Sequence, residues 1–263
     1  MSEPTIGLMA SFDDSPEDAP VLVLGPSLGT SRMIWDGQAA GFGEHFRLLR
    51  FELPGHGGAG APFLPYSIGE LGAGVLELLD EYGIETAAYC GISLGGMIGM
   101  WLAAHAHDRI AALGLVCTSA YMPPADSWRS RAELVLSSGL EPIVEASLGR
   151  WFTPEFAERA PEVVNAYGNE LRWTNSTGYA GCCLAIAEMD LRADLARVKA
   201  PTLVISGGRD PSTPPEHGGI IADGIARARL LVVEDAAHLA NVSSPEVVTA
   251  ALLEHLRVTM LKR

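Results

Sequence analysis

Five residues, Gly91-Ile92-Ser93-Leu94-Gly95, constrain this chain more than any others. Ahead of them the short apolar run Ala87-Ala88-Tyr89-Cys90 suits a buried strand. After them Met97 to Ala104 is apolar, free of proline and suited to a helix. The backbone must therefore turn sharply from strand to helix at Ser93. Such a turn forces the serine into a strained conformation, and it needs glycine on either side because a side chain there would collide with the neighbouring strand and helix. Ser93 is then exposed at a helix N-terminus, either as a nucleophile or simply as a helix cap.

A nucleophilic serine needs a base to take its proton and an acid to orient that base, and after a turn of this kind they follow in the order Ser, Asp or Glu, His. The chain supplies both. Pro201-Thr202-Leu203-Val204-Ile205-Ser206 reads as a β-branched strand running into the turn Gly207-Gly208-Arg209-Asp210-Pro211, which leaves Asp210 just past a strand end. The next strand, Leu230-Leu231-Val232-Val233, leads through Glu234-Asp235-Ala236-Ala237 to His238. Ligand sites in open α/β sheets gather at the carboxyl ends of strands, so three loops remote in sequence can converge there. Glu234 and Asp235 stand too close to His238 to orient it. His105 and His107 fall at the far end of the helix that follows Ser93. His56 lies in a turn-rich loop and reads as structural; His45, His217 and His255 read as surface or pre-strand residues.

An acyl-transfer site also needs two backbone N–H donors for the developing oxyanion. Leu94, immediately after the serine, offers one. The strand Val21-Leu22-Val23-Leu24 and its loop Gly25-Pro26-Ser27-Leu28-Gly29-Thr30 offer the other at Leu28.

Between Val116 and Thr202 the chain runs through some eighty residues with little strand character, too long for an unstructured loop in a compact domain. Trp128 to Ser138, Leu140 to Trp151, Pro154 to Ala160, Pro161 to Thr174 and Tyr179 to Glu188 read as helices. The expected architecture is α/β: a mostly parallel central sheet flanked by helices, with core residues 1–120 and 194–263 interrupted by a helical cap, residues 121–193.

Composition excludes several partners and sets one problem. With 32 acidic against 18 basic residues the net charge is −14, which argues against nucleic acid and means that an anionic ligand must find local positive charge against an unfavourable field. Met1-Ser2-Glu3-Pro4 has no basic segment followed by an apolar run, so no signal peptide is expected, and no apolar stretch approaches the ~20 residues of a bilayer span. Cys90, Cys117, Cys182 and Cys183 form neither a CxxC pair nor a ligand array, so buried reduced thiols are expected. No phosphate-binding glycine loop or paired histidine motif is present; no metal and no cofactor is expected.

The chain resembles the 3-oxoadipate enol-lactonases of the α/β-hydrolase superfamily over nearly its whole length. The resemblance is carried by Gly91 to Gly99, by Ser27-Leu28-Gly29-Thr30 with Met33 and Trp35, by Gly181-Cys182-Cys183 and by Ala237 to Asn241. Arg150-Trp151-Phe152-Thr153-Pro154 and Glu188-Met189-Asp190-Leu191-Arg192 are closer to signatures of the lactonase group. Many relatives carry His-Gly where this chain has Pro26-Ser27, which leaves the Leu28 N–H in place and alters its support. The resemblance implies an α/β-hydrolase fold and hydrolysis of a small anionic enol-lactone, in the cytoplasm, during the catabolism of aromatic compounds. Ser93, Asp210 and His238 would be catalytic and Leu28 and Leu94 would form the oxyanion hole. Trp35 and Trp151 would be pocket walls beside the other aromatics Trp128, Phe152 and Trp173. Arg150 is the first choice among Arg129, Arg131, Arg150 and Arg172 to meet the substrate carboxylate. Two other readings stand beside it: a general carboxylesterase or perhydrolase, and a ligand receptor that keeps the fold without catalysis.

Overall fold

The computed structural model describes residues 6–13, 16, 18–62 and 65–260; the expectation placed on Met1-Ser2-Glu3-Pro4 lies outside them. Seven strands, β1 (Met9–Phe12), β2 (Val21–Gly25), β3 (Arg47–Glu52), β4 (Ala87–Ile92), β5 (Ile110–Val116), β6 (Thr202–Gly207) and β7 (Ala228–Val233), form one sheet in the order β1-β3-β2-β4-β5-β6-β7. Every pairing is parallel except that of β1 with β3. Parallel pairing demands helical crossovers that cover both faces, which is why β2, β4 and β5 carry no charged residue; all six residues of β4 are buried. β1 is not anticipated from the sequence, because its four partly exposed residues carry no apolar period.

The crossovers are α1 (Asp36–Gly43), α2 (Ile68–Glu81), α3 (Leu94–His105) and, further along, α9 (Pro215–Gly224); α10 (Ala240–Ser243) and α11 (Pro245–Met260) close the chain. Ser67 and Glu70 start α2 as a reciprocal capping box. From β2 the chain passes outward to β3, whereas from β4 it passes the opposite way to β5. The loops after β2 and β4 therefore diverge and open a crevice at the carboxyl edge of the sheet. That topological switch places Leu28 and Ser93 on facing walls.

Between β5 and β6 lie α4 (Ala125–Ser138), α5 (Val144–Trp151), α6 (Pro154–Arg159), α7 (Pro161–Trp173) and α8 (Ser176–Ala187). The chain leaves and returns through one neck: Tyr121 bridges Asp190, and the Leu191 N–H donates to the Ala120 carbonyl at 2.8 Å. Helix α8 begins three residues before the apolar pattern does, because the Asn175 side chain caps it by accepting from the N–H groups of Thr177 and Gly178. At Gly178 a Cβ would sit 2.2 Å from the Pro54 carbonyl oxygen, so this start presses directly on the loop after β3. All four cysteines are buried and unpaired by disulfides; burial pushes their thiols up and keeps them inert.

Candidate active site

Strand β4 delivers Gly91 and Ile92 to the crevice and α3 starts at Leu94, so Ser93 alone absorbs the turn. Its backbone stands at φ 54° and ψ −117°, a conformation a non-glycine residue keeps only where its surroundings enforce it. A Cβ on Gly91 would lie 2.2 Å from the Gly95 carbonyl oxygen, and one on Gly95 would lie 2.4 Å from that of Gly25. Both glycines are demanded by close backbone approach. The Tyr89 hydroxyl donates to the Gly95 carbonyl at 2.8 Å, the Gly95 N–H to Pro26 at 3.0 Å, and the Thr118 hydroxyl to the Ser93 carbonyl at 2.7 Å. The Ser93 side chain does not cap its helix. It meets His238 instead.

His238 Nε2 lies 2.9 Å from Ser93 Oγ, and His238 Nδ1 lies 2.7 Å from Asp210 Oδ2. The three side chains arrive from the loops after β4, β6 and β7, and all are buried. Asp210 also accepts from the N–H groups of Ser212 and Thr213 at 2.8 and 3.1 Å and from the Thr213 hydroxyl at 2.7 Å. Burial pushes its carboxyl up, but the charge and hydrogen bond of His238 and the donors of Thr213 outweigh that and hold it below the usual carboxylate range. An acceptor on the Nδ1 side places the imidazole proton there and leaves the Nε2 lone pair for the serine proton. Thr213 was not singled out from the sequence, although Asp-x-x-Thr in a turn is the pattern of a side chain bonding its own loop.

The Leu28 and Leu94 N–H groups have no acceptor among the described residues. Their neighbours do. The N–H of Gly29 goes to His56 Nε2 at 2.9 Å, that of Thr30 to the Ser27 carbonyl at 3.2 Å, that of Ser31 to the Glu170 carboxylate and that of Arg32 to Glu52 Oε2 at 3.0 Å. His56 is structural, as its loop suggests, yet it supports this site. Its Nδ1 donates to the Pro54 carbonyl at 2.8 Å, Nε2 must stay unprotonated to accept from Gly29, and burial lowers its pKa to about 4. Trp35 corrects the sequence expectation. It is fully buried beneath the same loop, its Nε1–H donates to the Gly25 carbonyl at 3.0 Å, and it does not line the cavity over Ser93.

That cavity, about 40 Å³, is bounded by Ser93, His238 and Leu28 on the core side and by Trp128, Arg131, Arg150, Trp151 and Tyr179 from α4, α5 and α8. Trp151 lines this cavity, whereas Trp173 is 88% exposed and Phe152 stacks on Phe156 at 5.1 Å. Of the four arginines, Arg129 is paired with Asp126 and Glu188 and Arg172 with Glu141. Arg131 and Arg150 reach the cavity together. One turn of α5 sets Ser147 beside Arg150, and the buried Ser147 hydroxyl accepts from Arg131 Nη2 at 2.8 Å and from Arg150 Nη2 at 3.2 Å. Neither guanidinium has a carboxylate partner among the described residues, and Arg131 Nε is buried with no acceptor. Burial and then the neighbouring Arg131 charge lower the Arg150 pKa. Two unbalanced cations facing one hydroxyl form a ready receptor for an anion.

A larger cleft, about 710 Å³, lies at the opposite edge of the sheet beside Ile110, Thr202 and Ala228. It holds no serine–histidine pair, so size does not locate the chemistry. His255, expected at the surface, is buried there with Nε2 at 3.2 Å from the Pro201 carbonyl. Among the described residues no cluster of three or more His, Cys, Asp or Glu is placed to hold a metal ion, and no helix is long and apolar enough to cross a membrane.

The sequence model of the family described as alpha/beta hydrolase fold matches residues 20–245. 3-Oxoadipate enol-lactonase 2 of Acinetobacter baylyi is 39% identical over 235 residues, which is 89% of this chain and 88% of that protein. The crystal structure of the enol-lactonase from Burkholderia xenovorans LB400 superposes with a TM-score of 0.92 at 37% identity, covering 95% of this chain and 96% of the other. A hydrolase from Pseudomonas aeruginosa PA01 gives 0.91 at 42% identity, covering 95% and 94%. Both the match across most of the chain and the crevice at the switch point lead to the same conclusion: this chain belongs to the α/β-hydrolase fold family, among members similar to the 3-oxoadipate enol-lactonases.

Proposed function

We propose that this chain is a serine hydrolase that opens a carboxylate-bearing enol-lactone, 3-oxoadipate enol-lactone, to 3-oxoadipate in the breakdown of aromatic compounds. The observation that carries the proposal is the pair of guanidiniums of Arg131 and Arg150, which among the described residues have no carboxylate partner and which face the same cavity as Ser93 in an acidic chain. The generic chemistry comes from the core, whereas selection of an anionic substrate comes from α4 and α5. The same reading divides the chain into core residues 1–120 and 194–263 and a cap of residues 121–193, which the neck at Tyr121 and Asp190 supports.

In this mechanism His238 Nε2 takes the Ser93 proton as Oγ attacks the lactone carbonyl, and the N–H groups of Leu28 and Leu94 receive the oxyanion. Asp210 stabilises the imidazolium that forms. Collapse breaks the ring C–O bond. The leaving oxygen is an enolate whose charge is delocalised, so it departs more readily than an alkoxide does; it takes the proton from the His238 imidazolium, which returns Nε2 to the neutral base, and the resulting enol stays tethered through the acyl group. Water deprotonated by His238 then attacks the acyl-serine ester, His238 returns that proton to Ser93 Oγ as the ester bond breaks, and the released enol becomes the ketone. The substrate carboxylate bridges Arg131 and Arg150 on the side they turn to the cavity.

The test compares kcat/KM for the carboxymethyl enol-lactone and for a neutral enol-lactone of the same ring. A charge-assisted hydrogen bond is worth about 1.5–3 kcal/mol, so a preference of at least ~10-fold for the anion is expected. Equal rates would reject the lactonase reading in favour of a general carboxylesterase or perhydrolase. No turnover of any ester, with ligand binding retained, would favour a receptor.

A further inference from the structure

The loop that offers Leu28 is held from both the core and the cap. On the core side His56 and Glu52 hold the N–H groups of Gly29 and Arg32 at 2.9 and 3.0 Å. On the other side Glu170, on α7, reaches down so that its carboxylate accepts the N–H of Ser31. Glu170 is half-buried beside a cleft of about 550 Å³ that Ser31 and Tyr167 also line; among the described residues its carboxylate has no cationic partner, and burial pushes its carboxyl up. The cap also bears on the same loop by packing. Gly29 stands at φ +82°, and a Cβ on it would meet Leu171 Cδ1 of α7 at 2.7 Å, Tyr179 Cε2 of α8 at 3.3 Å and Trp151 Cη2 of α5 at 3.4 Å. Side chains of three cap helices therefore fill the space beside the residue next to the Leu28 donor, and two of them, Trp151 and Tyr179, also wall the cavity over Ser93.

We propose that Glu170 is a positioning residue that latches the cap to the oxyanion loop, so that a cap seated on substrate sets the Leu28 N–H at the place where the oxyanion develops. The latch rests on the serine-hydrolase reading above but not on the identity of the lactone. An oxyanion donor acts only when charge develops, so loosening it lowers kcat and spares KM. The effect is common to every acyl substrate, whereas loss of Arg131 or Arg150 is felt by anions alone. A hydrogen-bond acceptor is what the position requires, not a charge: the amide oxygen of Gln can take the Ser31 N–H and its NH₂ can face Ser31 Oγ.

The experiment measures kcat and KM of wild type, Glu170→Ala and Glu170→Gln on the anionic enol-lactone and on a neutral enol ester, with circular dichroism and thermal midpoint as checks of folding. Removing a whole oxyanion donor costs on the order of 100- to 1,000-fold, and a misplacement of about 1 Å can cost ~100-fold. Glu170→Ala is therefore expected to lose roughly 10- to 100-fold in kcat on both substrates with KM within about twofold, and Glu170→Gln to recover most of it. If the alanine variant does not fold, Glu170→Met, which fills the space without accepting a hydrogen bond, takes its place with the same expectation. Unchanged kcat in the non-accepting variant, equal damage by Gln and Ala, or a loss confined to KM would overturn the latch. Loss of kcat on the neutral ester supports it even where the wild-type enzyme shows no preference for the anionic lactone, an outcome that rejects only the substrate. Full activity of Ser93→Ala would remove the latch together with the reading beneath it.

Discussion

Replacing Arg131 and Arg150 by methionine, singly and together, interrogates the proposed substrate through its charge. Methionine keeps much of the stem that packs near Trp128 and Tyr179, whose rings lie 5.8 and 5.7 Å from the Arg131 guanidinium carbon, and removes the cation together with its hydrogen bond to Ser147. Each guanidinium offers the substrate carboxylate a charge-assisted hydrogen bond of about 1.5–3 kcal/mol, which is roughly a 10- to 150-fold loss of kcat/KM per single variant. Because both act on one carboxylate and share Ser147, the double variant should fall short of the sum, with a coupling of about 0.5–3 kcal/mol. Neutral enol esters should change little in all three variants. In the absence of ligand the single variants should not lose stability, since each relieves a pair of like charges that no carboxylate among the described residues balances. Lactone opening releases a proton at neutral pH, so a pH-stat follows both substrates in one assay after subtraction of spontaneous hydrolysis. A dicarboxylate product at ~100 Kd should raise wild-type stability by about 2.7 kcal/mol and leave the double variant unmoved. Parallel losses on charged and neutral substrates would show that the two arginines merely brace the cap, and unchanged kinetics on the anion would sink the assignment of the site.

Ser93→Ala should fold normally and lose on the order of a million-fold in turnover; more than about a tenth of wild-type activity, contamination excluded, removes Ser93 from its role. Asp210→Asn should cost about ten-thousand-fold in kcat, because an amide can neither hold the Nδ1 tautomer nor stabilise the imidazolium, while Asp235→Asn should be mild; the reverse ranking refutes the acid. Stability should also depend on pH through two buried groups of opposite sign, read as chemical denaturation of each variant against wild type. His56, lowered from 6.5 to about 4, contributes fully above pH 6.5 and loses its contribution as pH falls through 4, so His56→Gln should gain on wild type by up to about 3 kcal/mol on acidification. Glu52, raised from 4.5 to about 7 by burial, contributes fully below pH 4.5 and loses its contribution as pH rises through 7, so Glu52→Gln should gain by a similar amount on going from pH 4.5 to 7. Two curves of the same sign would contradict the burial argument.

Much of the catalytic line was legible because its physics is local. A strand, a serine between glycines and an apolar helix can be read from consecutive residues, since a turn in which a Cβ on Gly91 would lie 2.2 Å from the Gly95 carbonyl oxygen excludes side chains whatever surrounds it. Asp210 and His238 were legible for a related reason: each stands just after a β-branched run, and parallel strands bring their carboxyl ends to one edge. The helices between β5 and β6 were legible from proline and polar breaks, and α8 was misjudged only at its start, where the Asn175 cap rather than apolar spacing begins it.

What the sequence could not decide is which side of each residue faces the crevice, because that depends on how elements remote in sequence pack. Trp35 and Trp151 are alike as residues, yet one is locked under the Gly25 carbonyl and the other walls the cavity. Of four arginines between α4 and α7 the sequence preferred Arg150 only through its resemblance segment and did not single out Arg131; tertiary contacts neutralised Arg129 and Arg172 and left Arg131 and Arg150 sharing Ser147. The roles of His56 and Glu170 arise the same way, from a β3 loop and a cap helix meeting the loop after β2. Local backbone chemistry thus determined where Ser93, Asp210 and His238 stand in the chain; only the packed fold, by choosing which charges find partners and which N–H groups remain free, decided the shape and charge of the cavity above them.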